Sequence, residues 1–168
     1  MMARAHPQFA LRPFLVEDTP LLAEIFRASI EELTADDYTE GARQAWASAA
    51  DDEEAFARRL GGQLTLIATM NGSPVGFASL ANNETVDLIY VHPAVAGQGA
   101  GTMLVDALEK LSLARGAKRL TADVSDSAQD FFKKRSFSAQ QRNTVLRGGE
   151  WLANTTMDKT LAATQGAA

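Results

Sequence analysis

Three glycines at alternate positions, Gly97, Gly99 and Gly101, follow the run Val91-His92-Pro93-Ala94-Val95-Ala96 and precede a strongly helical stretch. Glycine at such a junction lets successive backbone N–H groups turn toward one point with no side chain in the way. The start of a helix adds its own free amides and the positive end of its dipole. Together these make a seat for a phosphate or pyrophosphate. Two familiar phosphate loops do not fit. The spacing is G-x-G-x-G after a strand that hairpin strands precede, which is not the fingerprint of a dinucleotide-binding βαβ unit. No Gly-Lys-Ser/Thr follows, so it is not a Walker loop.

The elements that must position this loop can be read from the pattern around it. Thr85–Val91 reads as the strand that feeds the loop, closed by His92-Pro93. Ala100 to Ala114 reads as the helix that leaves it, with Met103, Leu104, Ala107, Leu108 and Leu111 on one face. Upstream, Gln8–Arg12 reads as a strand. Asp18, at an N-cap position with Pro20 behind it, opens a helix to about Leu33. Two further helices are expected at Tyr38–Ala49, carrying Trp46, and at Asp51–Leu60, stopped by Gly61-Gly62. Gln63–Met70 and Val75–Ala81 form a hairpin around Asn71-Gly72-Ser73-Pro74. Downstream come a strand at Arg119–Val124, a short helix at Ser127–Arg135, and strands at Phe137–Arg147 and Trp151–Thr160 around Gly148-Gly149. This order predicts one α/β domain, residues 8–161, built on a mixed sheet flanked by helices. Residues 162–168 read as a frayed tail.

Composition narrows the classes. The 168 residues suit one domain with a real core, and 46% hydrophobic with 22% charged is the balance of a globular chain. The absence of cysteine removes disulfides, thiolate metal sites and a cysteine nucleophile, and fits a reducing, cytoplasmic setting. No stretch approaches the roughly 20 apolar residues of a membrane helix, and Met1–Ala10 has no apolar leader core. A net charge of −5 makes a poor general binder of nucleic acid. That charge is uneven. Residues 1–60 hold 12 acidic and 6 basic side chains, whereas residues 110–150 hold 9 basic and 4 acidic. A basic region beside a phosphate loop suits a polyanionic ligand.

Residues 91–137 resemble the acetyl-coenzyme A signature of the GNAT superfamily of N-acetyltransferases. That signature runs V-x-P, R/Q-x-x-G-x-G/A, a helix, a strand, then N-x-x-A-x-x-x-Y-x-x-x-G-F. Val91, Pro93, Gly99, Gly101, Ala128 and Phe137 match it. The flanking order fits as well, over about Phe9 to Leu161, and the segments around Asp37–Trp46 and Arg147–Asn154 resemble one bacterial branch of small members. Three positions depart. Ala96 stands where the loop has Arg or Gln. Phe132 stands where a tyrosine protonates the departing thiolate in many members, and Phe132 has no proton to give. Ser136 replaces the glycine of the G-F pair.

The resemblance implies a mixed, mostly antiparallel sheet of about seven strands with splayed central strands. Acetyl-coenzyme A would be the co-substrate and no metal would be needed. Its pantetheine arm would pair with the free backbone of Ile89, Tyr90 and Val91. Its pyrophosphate would sit on Ala96, Gly97, Gln98, Gly99, Ala100, Gly101 and Thr102, with Lys133 and Lys134 near the adenosine phosphate and Phe132 against the arm. The acceptor would be a primary amine of a small molecule or peptide, attacking the thioester directly, and a homodimer is common in the superfamily.

Acidic bases in this superfamily often arise from the strand before the loop. Alternation puts Thr85, Asp87, Ile89 and Val91 on one face, which makes Asp87 the candidate base, directly or through water. A carboxylate there can equally be the partner of an arginine. Glu84 reads as a turn residue and His92 as the solvent-facing residue before Pro93, although an imidazole is a side chain that can serve as a base. Tyr38, Trp46, Arg147 and Asn154 are the acceptor-side candidates, each with a structural alternative in packing or a surface turn. Phe132 also motivates a second class of function, a coenzyme A-binding sensor or interaction module without catalysis. A third keeps the enzyme and changes the acyl donor or uses an oxygen acceptor.

Overall fold

A computed structural model describes residues 8–161. The expected tail at 162–168 and residues 1–7 of the stretch Met1–Ala10, read as having no apolar leader core, lie outside them. The chain runs β1 (Phe9–Pro13), α1 (Thr19–Leu33), α2 (Glu40–Ala47), α3 (Glu53–Gly61), β2 (Leu64–Met70), β3 (Ser73–Ala81), β4 (Thr85–Val91), α4 (Ala100–Ala114), β5 (Arg119–Ser125), α5 (Gln129–Lys134), β6 (Ser138–Arg147) and β7 (Glu150–Thr160). The strands form one seven-stranded sheet in the order β1-β2-β3-β4-β5-β7-β6. Every neighbouring pair is antiparallel except β4–β5.

Two apolar clusters, one on each face, hold the layers together. On one face Leu104, Val105 and Leu108 of α4 pack on Ala78, Leu80, Val86, Leu120 and Ala122. On the other, Leu22, Phe26 and Ile30 of α1 and Phe56 and Leu60 of α3 pack on Ile67, Phe77 and Leu88. Fully burying side chains of this size contributes about 1.5–3 kcal/mol each. The sheet is therefore clamped from both sides, and any gap within it is held open by packed helices.

Several local readings are refined. Asp18 stands at the α1 N-cap position, but its backbone is already helical at φ −76° and its side chain does not cap the helix. It accepts two bonds from Arg12, at 2.8 and 2.7 Å, and one from the Leu15 amide at 2.8 Å. The second helix is shorter than its apolar pattern suggests. Thr39 caps it through the Ala42 amide, which leaves Tyr38 outside, and a 3-10 turn at Ser48–Ala50 follows it. The helix expected from Ser127 begins at Gln129, after a 3-10 turn at Asp126–Ala128. Pro74 lies inside β3, near its first residue, where a missing N–H is tolerated.

Ser136 has φ 73°, a left-handed conformation that glycine adopts without cost. The turn is kept because the Ser136 and Phe137 amides cap the end of α5, bonding the carbonyls of Lys133 and Phe132 at 3.0 Å each.

Candidate active site

The site begins where β4 and β5 part. Their pairing consists of Thr85 opposite Thr121 and Val86 opposite Ala122, and then it ends. On its other edge β4 stays paired with β3 as far as Val91. The backbone of Ile89, Tyr90 and Val91 thus has no strand partner on the β5 side. The resulting cleft has a volume of about 600 Å³ and passes through the sheet. On the α4 side it is lined by Ala96, Gly97 and Gly99–Thr102, and on the other by Ser29, Leu33 and Thr34 of α1 and its end and by Trp46 of α2.

At the α4 end the loop is built as a cradle. Gly97 and Gly99 have φ of 76° and 102°, so both need glycine to turn their amides inward. The amides of Gly97, Gly99, Ala100, Gly101 and Thr102 have no bonding partner among the described residues. A Cβ on Gly101 would lie 3.3 Å from the Phe131 ring, so a glycine there keeps helix and ring in contact. Five open donors at a helix N-terminus fit a pyrophosphate, and the free edge of β4 fits an amide-bearing arm. Phe132 lines the cleft with its ring buried and edge-on to Phe131 and Phe137. Gln98 points to the Ala94 carbonyl at 3.5 Å, and neither Gln98 nor Lys134 lines the cleft.

Asp87 lines the cleft but does not share a face with Ile89 and Val91, as simple alternation requires. The register passes from Leu80 opposite Val86 to Ser79 opposite Leu88, leaving Asp87 as the unpaired extra residue of a bulge. Val86, Ile89 and Val91 therefore face α4, while Asp87, Leu88 and Tyr90 face α1 and α3. There Arg59 donates from Nε to Oδ2 at 2.8 Å and from Nη2 to Oδ1 at 3.0 Å. Gln63 adds a bond to Oδ2 at 2.9 Å. Burial alone would raise the Asp87 pKa, but the bonds from Arg59 and Gln63 outweigh it and hold it below the usual carboxylate value.

Across the split stands Asp123 of β5, which sequence reasoning did not single out. Leu120, Ala122 and Val124 are buried against α4 and α5, so alternation turns Asp123 to the Asp87 side. It lines the cleft, is exposed, and accepts one bond, from the Thr156 hydroxyl at 2.6 Å. That hydroxyl in turn accepts from Asn143 Nδ2 at 2.8 Å. The same Asn143 nitrogen donates to Asn154 Oδ1 at 2.9 Å, so Asn154 belongs to this relay behind the cleft and not to its lining.

The aromatic candidates divide. Trp46 lines the cleft and donates from Nε1 to the Tyr90 hydroxyl at 3.2 Å. Burial is the main cause that pushes the Tyr90 phenol up to about 12. The Tyr38 hydroxyl is spent on structure. It donates to the Ala153 carbonyl at 2.6 Å and accepts from the Asp126 amide at 2.9 Å, tying the segment before α2 to β7 and the start of α5. Arg147 lies exposed at the end of β6, outside the cleft lining. His92 uses Nδ1 to accept from the Ala94 amide at 3.0 Å, which shapes the approach to the loop.

The profile of the acetyltransferase (GNAT) domain matches residues 34–161, which include the glycine loop, both splayed strands and all of the cleft lining except Ser29 and Leu33. The chain belongs to the GNAT acetyltransferase family. The expected fold and the expected class of reaction, acetyl transfer by an acyltransferase with acetyl-coenzyme A as co-substrate, are both met. Among solved structures, this acetyltransferase is similar to a GCN5-related N-acetyltransferase from Rhodopseudomonas palustris, also described as a class-II aminotransferase. The two share 61% identity over 96% of this chain and 99% of that one, with a TM-score of 0.90. Among curated proteins it is 26% identical over 86% of its length to the uncharacterized N-acetyltransferase YafP of Escherichia coli, covering 91% of that protein. It is 31% identical over 74% of its length to the peptidyl-lysine N-acetyltransferase YjaB of Salmonella typhimurium, covering 69%. The PaiA N-acetyltransferase of Thermoplasma acidophilum, solved with coenzyme A, shares the fold at a TM-score of 0.76 and 19% identity, over 91% of this chain and 99% of that one.

No group of three or more His, Cys, Asp or Glu side chains among the described residues is arranged to hold a metal. No helix among them is long and apolar enough to cross a membrane.

Proposed function

We propose that this acetyltransferase transfers the acetyl group of acetyl-coenzyme A to a primary amine of a small molecule or peptide, by direct attack on the thioester. The observation that carries this reading is the split between β4 and β5, which opens at one end onto a five-amide glycine cradle and at the other onto polar side chains of both strands. The thioester supplies an activated acyl carbon. The chain's part is to bind the arm along β4, to hold the pyrophosphate on the loop from Ala96 to Thr102, and to orient the incoming nitrogen. A backbone N–H on the free edge of β4 suffices to polarise the carbonyl. The absence of cysteine leaves no cysteinyl-enzyme route.

The name of the Salmonella relative, a peptidyl-lysine N-acetyltransferase, supports a lysine side chain among the acceptors. The cysteine-free composition supports a cytoplasmic setting. Light scattering tests the homodimer that the family suggests. Phe132, buried and without a proton to give, favours the second reading of a coenzyme A-binding module. Titration with acetyl-coenzyme A followed by thiol release over an amine panel separates the two. Amine-dependent release supports transfer, and binding without release on any acceptor supports the module.

A further inference from the structure

Two carboxylates flank the split, and we infer that the open one, Asp123, seats a cationic acceptor nitrogen and takes its proton. The inference rests on the amine-transfer reading above. Asp87 and Asp123 are the first residues past the last β4–β5 pair, and both face the α1–α3 side of the sheet. They stand on opposite lips of the cleft. A carboxylate has about four lone-pair positions. Asp87 uses three, two on Arg59 and one on Gln63. Asp123 uses one, on Thr156, and that bond fixes its direction while leaving the outer oxygen open.

The charges around the mouth agree. Arg59 is spent on Asp87, and Arg142 is spent on Asp126, with bonds of 2.5 and 3.0 Å. Asp37, before α2 and outside the cleft lining, accepts from the Ser127 hydroxyl at 2.7 Å and has no ion partner among the described residues. Arg147 sits outside the lining, although its charge reaches the Tyr90 phenol, which is itself neutral at working pH. Asp87 and Asp123 are the charged side chains that line the cleft, and only Asp123 is unneutralised, so the charge in the lining is negative, which favours a cation over an amino-acid carboxylate.

In the step assigned to it, Asp123 takes one proton from the acceptor ammonium. The freed nitrogen lone pair forms the bond to the acetyl carbonyl carbon, and the carbon–sulfur bond breaks with its electron pair on sulfur. The second nitrogen proton reaches the sulfur through solvent, since Phe132 carries none, and the proton on Asp123 returns to water. The products are an acetamide, free coenzyme A thiol and one proton.

The test compares wild type with Asp123→Asn and Asp87→Asn. The probes are spermidine and Nα-acetyl-lysine methylamide, which are cationic, and p-toluidine, whose nitrogen is already neutral. Turnover is followed by thiol release. Binding of spermidine to the coenzyme A-loaded protein is followed by calorimetry. Asp123→Asn keeps the fold, since asparagine still accepts from Thr156, and wild-type affinity for acetyl-coenzyme A verifies this. The expected result is a loss of about 100-fold or more in kcat/KM for the cationic amines, with weakened spermidine binding and under about fivefold loss for p-toluidine. Asp123→Asn within about threefold of wild type on every probe overturns the inference. So does a loss on the cationic amines confined to Asp87→Asn. A wild type that acetylates p-toluidine but neither binds nor acetylates the cations overturns it while leaving the transfer reading intact. A wild type that binds and acetylates none of the probes overturns both.

Discussion

Asp87 and Asp123 stand on opposite sides of the parting of β4 and β5, one carboxylate accepting three bonds and the other one. This inequality comes from neighbouring elements. Arg59 of α3 and Gln63 at the start of β2 reach the bulge at Asp87, whereas β7 offers Asp123 a single threonine hydroxyl. A carboxylate gripped by a guanidinium anchors the strand that carries it. A carboxylate held by one hydroxyl remains able to accept a proton or a cation.

Thr156 is a positioning residue in this arrangement. Thr156→Val removes the hydroxyl that aims Asp123 while nearly keeping the volume. We expect kcat/KM for a cationic amine to fall roughly 10-fold with KM for acetyl-coenzyme A unchanged. Thr156→Ser should restore most of the loss. Steady-state kinetics on the three proteins checks this, and a valine variant with wild-type kinetics removes the role.

Gly99→Glu places a carboxylate where the cradle amides converge. Affinity for acetyl-coenzyme A should fall by more than about 100-fold, combining like-charge repulsion with side-chain intrusion at a position of φ 102°. Circular dichroism should show a retained fold. Calorimetric titration measures the affinity, and undiminished binding removes the loop from the coenzyme site.

Ser136→Gly should stabilise the protein by about 1 kcal/mol, because the left-handed turn that ends α5 costs an L-residue energy and glycine none. For a chain of this size that is a rise in Tm of roughly 2–4 °C. Scanning calorimetry reads it directly. An unchanged or lower Tm contradicts the assigned backbone strain.

Stability should fall off at both ends of the pH scale, for opposite reasons. Asp18, bonded by Arg12, and Asp87, bonded by Arg59 and Gln63, have folded pKa values below the ordinary carboxylate value. Their contribution is full above that value and is lost as pH falls through the lower folded values. Tyr90 is raised from 10.0 to about 12, so its contribution is present below pH 10 and is lost as pH rises toward 12. Tyr38 is also raised, mainly by burial, and these are the chain's 2 tyrosines. Phenolate absorbance should therefore rise later than for free tyrosine. Thermal melts of wild type, Asp87→Asn and Asp18→Asn across acidic pH check the acid limb, where the variants should show a shallower decline.

The order of elements, the boundaries of β4 and α4, and the glycine loop between them were legible because periodicity and glycine spacing are local signals. The splay was implied by family resemblance and not by any residue pattern. The orientation of Asp87 was misread because a bulge inserts one residue into the alternation, and nothing in Thr85–Val91 marks it. Its partner Arg59 lies 28 positions away in sequence, beyond the reach of local reasoning. Asp123 was readable in principle, since Leu120, Ala122 and Val124 form an apolar alternation that turns it outward. Tyr38 is an acceptor-side candidate from sequence, but the fold consumes its hydroxyl in a bridge to Ala153 and Asp126. The acidic N-terminal third builds α1–α3, on the face of the sheet that carries Asp87, and the glycine loop opens toward α4.

The most direct test of the account is thiol release from acetyl-coenzyme A by wild type and Gly99→Glu, with spermidine and Nα-acetyl-lysine methylamide as acceptors and the acetylated product identified by mass. Wild type should show amine-dependent release, and Gly99→Glu none above background. Tight binding of acetyl-coenzyme A by wild type without amine-dependent release, on these acceptors or a wider panel, would contradict it.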